Sequence, residues 1–312
     1  MAEPPVLPDD DWLGPLAAKL RRPVRVASRA ALTGGVVAGS VERITLDDGT
    51  DVVLKTGDRE KNAAEAAALR AVAVVNGPVR VPRMLAHGDD WLVLAHEPGE
   101  PLGPGDPVPD EVWRSLALVH AHWRRNRPRG VPVVDPRWWE GLCAQAADAL
   151  DRAGADSVHD GADSGAADRI GALATDPRIG TALAALPRTL CHGDAHRGNV
   201  LRTPGGGILL DWGNARVAPG SLDTAVLAAP PVDGPADAPA APVPEIYRET
   251  LHAATGAADP PRMIAAETAW ARVQAHVQYL PYSAEHLGAD RAASMVRVVD
   301  EALAELGAAL GM

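Results

Sequence analysis

Twelve residues at 98–109, PGEPLGPGDPVP, hold five prolines and three glycines and divide the chain into halves of different hydrophobic period. Proline lacks a donor N–H and fixes φ, so neither a helix nor a central strand runs through such a segment. Ahead of it, apolar residues alternate over short stretches bounded by glycines, the period of half-buried strands. Behind it they recur every three or four residues over long stretches, the period of helices. The chain is therefore expected to be α+β: a small antiparallel β-rich lobe (1–95), a hinge or linker (96–109) and a larger helical lobe (110–312). A ligand is expected in a cleft between two such lobes.

In the first half, Val24–Ala30, Val41–Leu46 and Asp51–Thr56 read as strands, joined by the turn LTGGVVAGS (32–40) and an Asp48-Gly49 hairpin. Residues 58–75 are Ala-rich with helical spacing and stop at Asn76-Gly77-Pro78. Met84–Ala86 and Trp91–Ala95 read as two more strands, and Trp12–Leu20 as a lead-in helix. Beyond the linker, helices are expected at 110–124, 137–153, 166–175, 178–185, 262–280 and 289–310. Polar or Ala/Pro loops are expected at 154–165 and 228–244. The stretch 189–223 is irregular: a short strand, a loop, a hairpin and another loop.

Composition narrows the function. The 312 residues carry 30 Lys and Arg against 41 Asp and Glu, a net charge of −11. That balance argues against general nucleic-acid binding, which needs a basic surface. No apolar run reaches the roughly 18 residues that span a bilayer. The start, MAEPPVLPDDD, has no apolar core of a secretory signal. Cys143 and Cys191 are too few for a disulfide framework, so a reducing cytoplasm is expected. Phenylalanine is absent, which leaves the core to Ala, Val, Leu and Trp. Only three of the basic residues are lysines, Lys19, Lys55 and Lys61. A lysine ending an apolar strand is then a feature to explain.

The irregular stretch holds most of the candidate chemistry. In TLCHGDAHRGNVL (189–201), His192, Asp194 and Asn199 have the spacing H-x-D-x-x-x-x-N. In kinases that spacing supplies an aspartate for the acceptor hydroxyl's proton and an asparagine for magnesium. In GGILLDWGNA (206–215), an apolar strand ends in Asp211-Trp212-Gly213, where kinases have D-F-G. Asn199 and Asp211 are hard oxygen ligands and favour Mg²⁺ over zinc. Lys55 ends VVLK, the pattern whose ammonium neutralises nucleotide phosphates; an edge-strand lysine that blocks aggregation has the same sequence. Its expected partner is Glu65 on the following helix, while Glu60 belongs to that helix's start. Gly34 and Gly35 either cover phosphates through backbone N–H groups or form a simple hairpin turn.

Lys55, Glu65, HGDAHRGN and DWG, in that order behind a small β-rich lobe, resemble the aminoglycoside phosphotransferase family, relatives of the protein kinases. Glycine before Asp194 resembles the small-molecule branch. VPRMLAHGDDWLVLAHEPGEPL (81–102), SLALVHAHW (115–123) and APGSLD (218–223) resemble that family's hinge region, first C-lobe helix and G-P-x-x-x-D segment. Departures are Ala218, Arg197 in place of a common proline, and Gly213-Asn214 in place of a common acidic pair. The resemblance covers about residues 28–225. It implies a protein-kinase-like bilobal fold and transfer of phosphate from ATP or GTP, with Mg²⁺, to a small-molecule hydroxyl. It also implies Asp194 as catalytic base, Asn199 and Asp211 as metal ligands, and Asp223 as a brace at a helix start. The adenine or guanine would hang from the Ala95 carbonyl and the Glu97 N–H.

His192 is expected to orient the loop, and His196 either to contact substrate or to be solvated. Up to residue 95 there are 12 basic and 13 acidic residues; beyond it, 18 and 28. The acidic second half suits a cationic acceptor such as a basic antibiotic, and suits plain solubility equally. Choline, homoserine, a sugar or a nucleoside antibiotic are other acceptors. Trp270, Tyr279 and Tyr282, around a Pro281 expected to break or kink the helix, are candidate acceptor contacts or core packing. Two other functions compete: a metal-dependent hydrolase built on His192, Asp194 and His196, and a nucleotide-binding module without catalysis.

Overall fold

The computed structural model describes residues 7–32, 40–103, 105–156, 165–230, 240–256 and 258–312. The chain forms two compact units. One comprises residues up to Val119 with Pro128–Pro132 and His192–Ala215; the other comprises His120–Arg127, Val133–Cys191 and Arg216–Met312.

In the first unit, β1 (Val26–Ala31), β2 (Ser40–Leu46), β3 (Asp51–Thr56), β4 (Met84–His87) and β5 (Trp91–Ala95) form one antiparallel sheet in the order β1-β2-β3-β5-β4. All five expected strands are present. Alternation assigns their faces. Val52 and Leu54 join Ile44, Leu46, Leu85 and Val93 against Trp12 and Leu16 of α1 (Asp9–Leu20). Tryptophan supplies the bulk in a chain without phenylalanine. Lys55 is in register with Val41 and Leu92, on the opposite face.

Helix α2 (Arg59–Val72) opens on Asp58, whose carboxylate accepts the Lys61 N–H at 3.0 Å. The Asn62 amide donates to the Asp90 carbonyl at 2.9 Å and pins the helix to the β4–β5 turn. Its buried side, Ala64 to Leu69, includes Glu65. The Pro/Gly-rich segment lies within this unit: β6 (Glu100–Pro101) pairs with β8 (Val200–Thr203), which pairs with β9 (Gly206–Leu209).

The second unit is built on helices. α4 (Pro136–Asp156), α5 (Ala166–Ala172), α6 (Pro177–Ala185), α9 (Pro261–His286) and α10 (Ala289–Leu310) enclose a core with Trp139 and Trp270 fully buried. α3 (Asp110–Trp123) crosses from the first unit into the second in sequence. A two-stranded sheet pairs β7 (Arg188–Cys191) with β10 (Arg216–Pro219), followed by α7 (Ser221–Leu227) and α8 (Glu245–Thr255). No helix of the described residues is long and apolar enough to cross a membrane.

One expectation is corrected. α9 does not break at Pro281; it runs to His286. An interior proline costs about 3 kcal/mol, but Val277 and Leu280 before it and Ser283 and Ala284 after it are all buried, so packing keeps the residues on both sides helical.

Candidate active site

Lys55, Glu65 and Asp211 meet in the first unit. The Lys55 Nζ lies 2.7 Å from Glu65 Oε2 and 2.8 Å from Asp211 Oδ1. β3 places Lys55 on the sheet face opposite the α1 cluster, and α2 delivers Glu65 from its buried side. Glu65 is 1% exposed, whereas the Asp211 carboxylate is open to solvent. Burial alone would depress the Lys55 ammonium; the two carboxylates outweigh it and leave its pKa above the ordinary value. Burial pushes the Glu65 carboxyl up against the pull of Lys55. Partial desolvation works the same way on Asp211, but Lys55, helped by Lys61, holds it below the usual carboxylate range.

Asp211 has φ +60° and ψ 67°, the left-handed region that non-glycine residues rarely occupy. Such strain gathers at functional sites. It turns the chain from β9 into the tight turn Trp212–Asn214, closed by the Ala215 N–H on the Trp212 carbonyl at 3.0 Å. A Cβ on Gly213 would come within 3.3 Å of the Lys61 Cβ and 3.4 Å of Asp211 Oδ1, so a small residue lets this turn sit close under α2.

The preceding loop is held by its own side chains. His192 is fully buried; its Nε2 donates to the Leu210 carbonyl at 2.7 Å and its Nδ1 accepts the Asp194 N–H at 3.2 Å. Its ring packs edge-on against Trp212, centroids 4.8 Å apart. Gly193 between them has φ +81°. The Asn199 amide donates to the Asp194 carbonyl at 2.9 Å, which leaves Oδ1 as the acceptor end of that side chain. The Asn214 amide donates to Asp194 Oδ2 at 2.9 Å. His196 is solvent-facing, its Nε2 4.0 Å from Asp194 Oδ1. With both ring nitrogens of His192 engaged inside the fold, the H-x-D-x-H triplet is not a metal-ligand set, and the hydrolase reading falls.

The other candidates are placed as follows. Ala95 closes β5, its N–H bonded to the Arg83 carbonyl at 2.8 Å; the Glu97 N–H makes no hydrogen bond among the described residues. Gly34 and Gly35 lie outside the described residues. In the second unit, Asp223 is buried in the first turn of α7 and accepts from His120 Nε2 at 3.1 Å, while His120 Nδ1 accepts from the Tyr247 hydroxyl at 2.8 Å. Cys191 beside this cluster is fully buried and its thiol is pushed well up by desolvation, so it is no nucleophile. Trp270 is 0% exposed and presents no surface to an acceptor; Tyr279 is half-buried against the core. Tyr282 is exposed, edge-on to His286 at 4.8 Å. Sequence reasoning missed Asn214 and Lys61. Lys61 offered one signal, as one of three lysines in the chain.

An ammonium held between a buried and an exposed carboxylate, near an asparagine and an aspartate on one loop, is chemistry for a polyphosphate and a hard divalent cation. Comparison with known proteins gives the fold and the family. No curated protein sequence matches the chain. Among solved structures it is similar to the macrolide 2'-phosphotransferase MphH of Brachybacterium faecium, apoenzyme, with 20% identity, TM-score 0.52, and 94% of this chain and 98% of that one covered. It is similar to aminoglycoside 2'-phosphotransferase-IIIa in its GDP complex, with 17% identity, TM-score 0.51, and 90% and 93% covered. It is similar to a choline kinase of Cryptosporidium parvum Iowa II, with 9% identity, TM-score 0.56, and 89% and 88% covered. These likenesses show a shared kinase-like fold. The model of the phosphotransferase enzyme family matches residues 31–265, a span that takes in Lys55, Glu65, the Asp194 loop and Asp211, and the chain belongs to that family.

Proposed function

We propose that this protein transfers the γ-phosphoryl group of ATP or GTP to a hydroxyl of a small molecule, an antibiotic being the first acceptor class to test. The observation that carries the reading is Lys55 bonded to both Glu65 and Asp211 in the unit that also holds the Asp194–Asn199 loop. Lys55, kept charged by Glu65, neutralises the α- and β-phosphates. The base hangs from the Ala95 carbonyl and the Glu97 N–H.

Asp194 takes the proton of the acceptor hydroxyl as its oxygen bonds to the γ-phosphorus. The bond from phosphorus to the β-bridging oxygen breaks, and the nucleoside diphosphate leaves. Mg²⁺ fits the donor set, since Asn199 keeps its Oδ1 as acceptor and Asp211 offers an exposed carboxylate. These two residues would hold it, and when bound it would offset phosphate charge. His192 positions the loop and Asp223 braces the start of α7. His196, beside Asp194, is the first acceptor contact in the first unit. Tyr279 and Tyr282 are candidates in the second.

A second reading has a specific support. The acidic second half suits a cationic acceptor, and a choline kinase shares the fold as well as the antibiotic phosphotransferases do. The test is nucleoside diphosphate release from MgATP and MgGTP with a panel of an aminoglycoside, a macrolide, choline, ethanolamine and a fructosamine. Turnover of one acceptor, lost in Asp194→Ala, supports the reading. Turnover that survives in Asp194→Ala overturns the assignment of the base.

A further inference from the structure

We infer that Asn214 is a positioning residue for Asp194: its side-chain amide fixes the orientation of the carboxylate that receives the acceptor's proton. The inference rests on the proposed role of Asp194. The Asn214 Nδ2 donates to Asp194 Oδ2 at 2.9 Å, across 20 residues of chain. Asp194 Oδ1 then stands on the His196 side, 4.0 Å from Nε2. A carboxylate on a single χ2 rotor turns easily, and one directed donor on one of its oxygens fixes its plane. Catalytic groups work when held within a fraction of an ångström by neighbours that are themselves held.

Asn214 is held. It ends the three-residue turn that begins after Asp211, with Trp212 buried behind it and its indole N–H on the Leu209 carbonyl at 3.1 Å. One tight turn thus carries Asp211 at its start and the group that orients Asp194 at its end. Residue type matters at this position. A carboxylate in place of the amide would put two acceptors of like charge at 2.9 Å with no donor between them, which favours a proton shared by the pair. An amide donates without competing for the proton.

The experiment compares wild type, Asn214→Ala, Asn214→Asp and Asp194→Ala by nucleoside diphosphate release from MgATP and MgGTP. It uses the best acceptor of the panel above, or water when the panel gives none, from pH 5 to 9. Asn214→Ala should lower kcat by about tenfold with nucleotide KM within about twofold, because only orientation is lost. Asn214→Asp has the same size but no donor, and should move the acid limb of the kcat profile up by about one pH unit or more. A residue that merely packs would move neither. Thermal melts confirm that the variants fold. If Asp194→Ala is inactive while both Asn214 variants keep wild-type kcat and pH profile, the positioning role is overturned. If Asp194→Ala itself keeps full turnover, the role of Asp194 falls and this inference falls with it.

Discussion

Replacing Lys55 with methionine should destabilise the first unit more than the loss of a surface lysine would, and the structure says why. Lys55 is 15% exposed and its ammonium is the hydrogen-bond partner of Glu65 Oε2, while Glu65 is 1% exposed and its other oxygen, Oε1, has no partner among the described residues. Asp211 can turn to solvent when the lysine goes; Glu65 cannot. Removing one member of a buried pair costs about 3–5 kcal/mol, because an uncompensated charge stays behind. For a unit of this size that is a fall in melting temperature on the order of 10 °C.

The pH dependence follows from the sign. Burial already raises the Glu65 carboxyl, and without Lys55 only the Trp212 backbone N–H is left to oppose that rise. The folded state of Lys55→Met then binds a proton at Glu65 more tightly than the unfolded chain does. Its stability is greatest at acid pH and falls as pH climbs towards neutrality. The double variant Lys55→Met, Glu65→Leu removes both charges and should recover most of the stability at pH 7 while remaining inactive. Urea unfolding followed by tryptophan fluorescence at pH 5.5 and 7.5 measures all three proteins. If Lys55→Met loses less than about 1 kcal/mol at pH 7.5, or if the double variant is no more stable than it, the buried-pair argument is wrong.

Three further predictions are independent of it. Asp211→Ala should abolish the thermal stabilisation that MgATP or MgGTP gives the wild type, read by a melt with and without nucleotide, because the exposed metal-ligand candidate is gone. Cys143, whose thiol burial pushes up to about 12, should not react with a thiol reagent at pH 8 until denaturant is added; fast labelling of the native protein would contradict its placement in the core. Glu267, with an unpartnered buried oxygen and a carboxyl that desolvation raises to about 7, should make stability fall as pH rises from its unfolded value of 4.5 to about 7; Glu267→Gln should flatten that window and gain on the order of 2 kcal/mol at pH 8, measured by urea midpoints.

How much of this was legible in the sequence depended on the range of the interaction. The five-stranded sheet was, because each hairpin writes its own signal: alternation in DVVLKT decides which residues face α1, and Gly49 at φ +82° closes the β2–β3 turn. Lys55 and Glu65 were legible as a pair, since strand and helix are consecutive and each has one buried side. α7 was hidden because most of its seven residues are buried, which erases the stripe of an amphipathic helix. α8 was hidden for the opposite reason, with Tyr247 its only buried residue. β10 reads as part of a loop because all four of its residues are buried and its partner, β7, lies 25 residues back. β6 was masked by the prolines around it, and only two residues pair.

The same range argument separates the site residues that were found from Asn214, which was missed. Asp194, Asn199 and Asp211 announce themselves through spacing, because each must sit at a fixed step along one loop and one strand end. Asn214 has no such spacing to announce it. Its amide reaches Asp194 only because Asp211 turns the chain through a left-handed conformation and Gly213 lets the turn close beneath α2. Neither condition is visible as a pattern of residue types, since aspartate enters the left-handed region only occasionally and glycine occurs in turns of every kind. A turn of this kind has a further consequence: it makes the position of the carboxylate base depend on the residue proposed to hold the metal. A change at Asp211 that altered its backbone would therefore displace Asp194 through Asn214, whereas Asp211→Asn, which tolerates the left-handed region equally well, would leave that arrangement in place. Comparing Asp211→Asn with Asp211→Val separates the two contributions. Both should lose Mg-nucleotide stabilisation. Only the β-branched variant should also lower the melting temperature of the nucleotide-free protein, because it alone is strained at φ +60°.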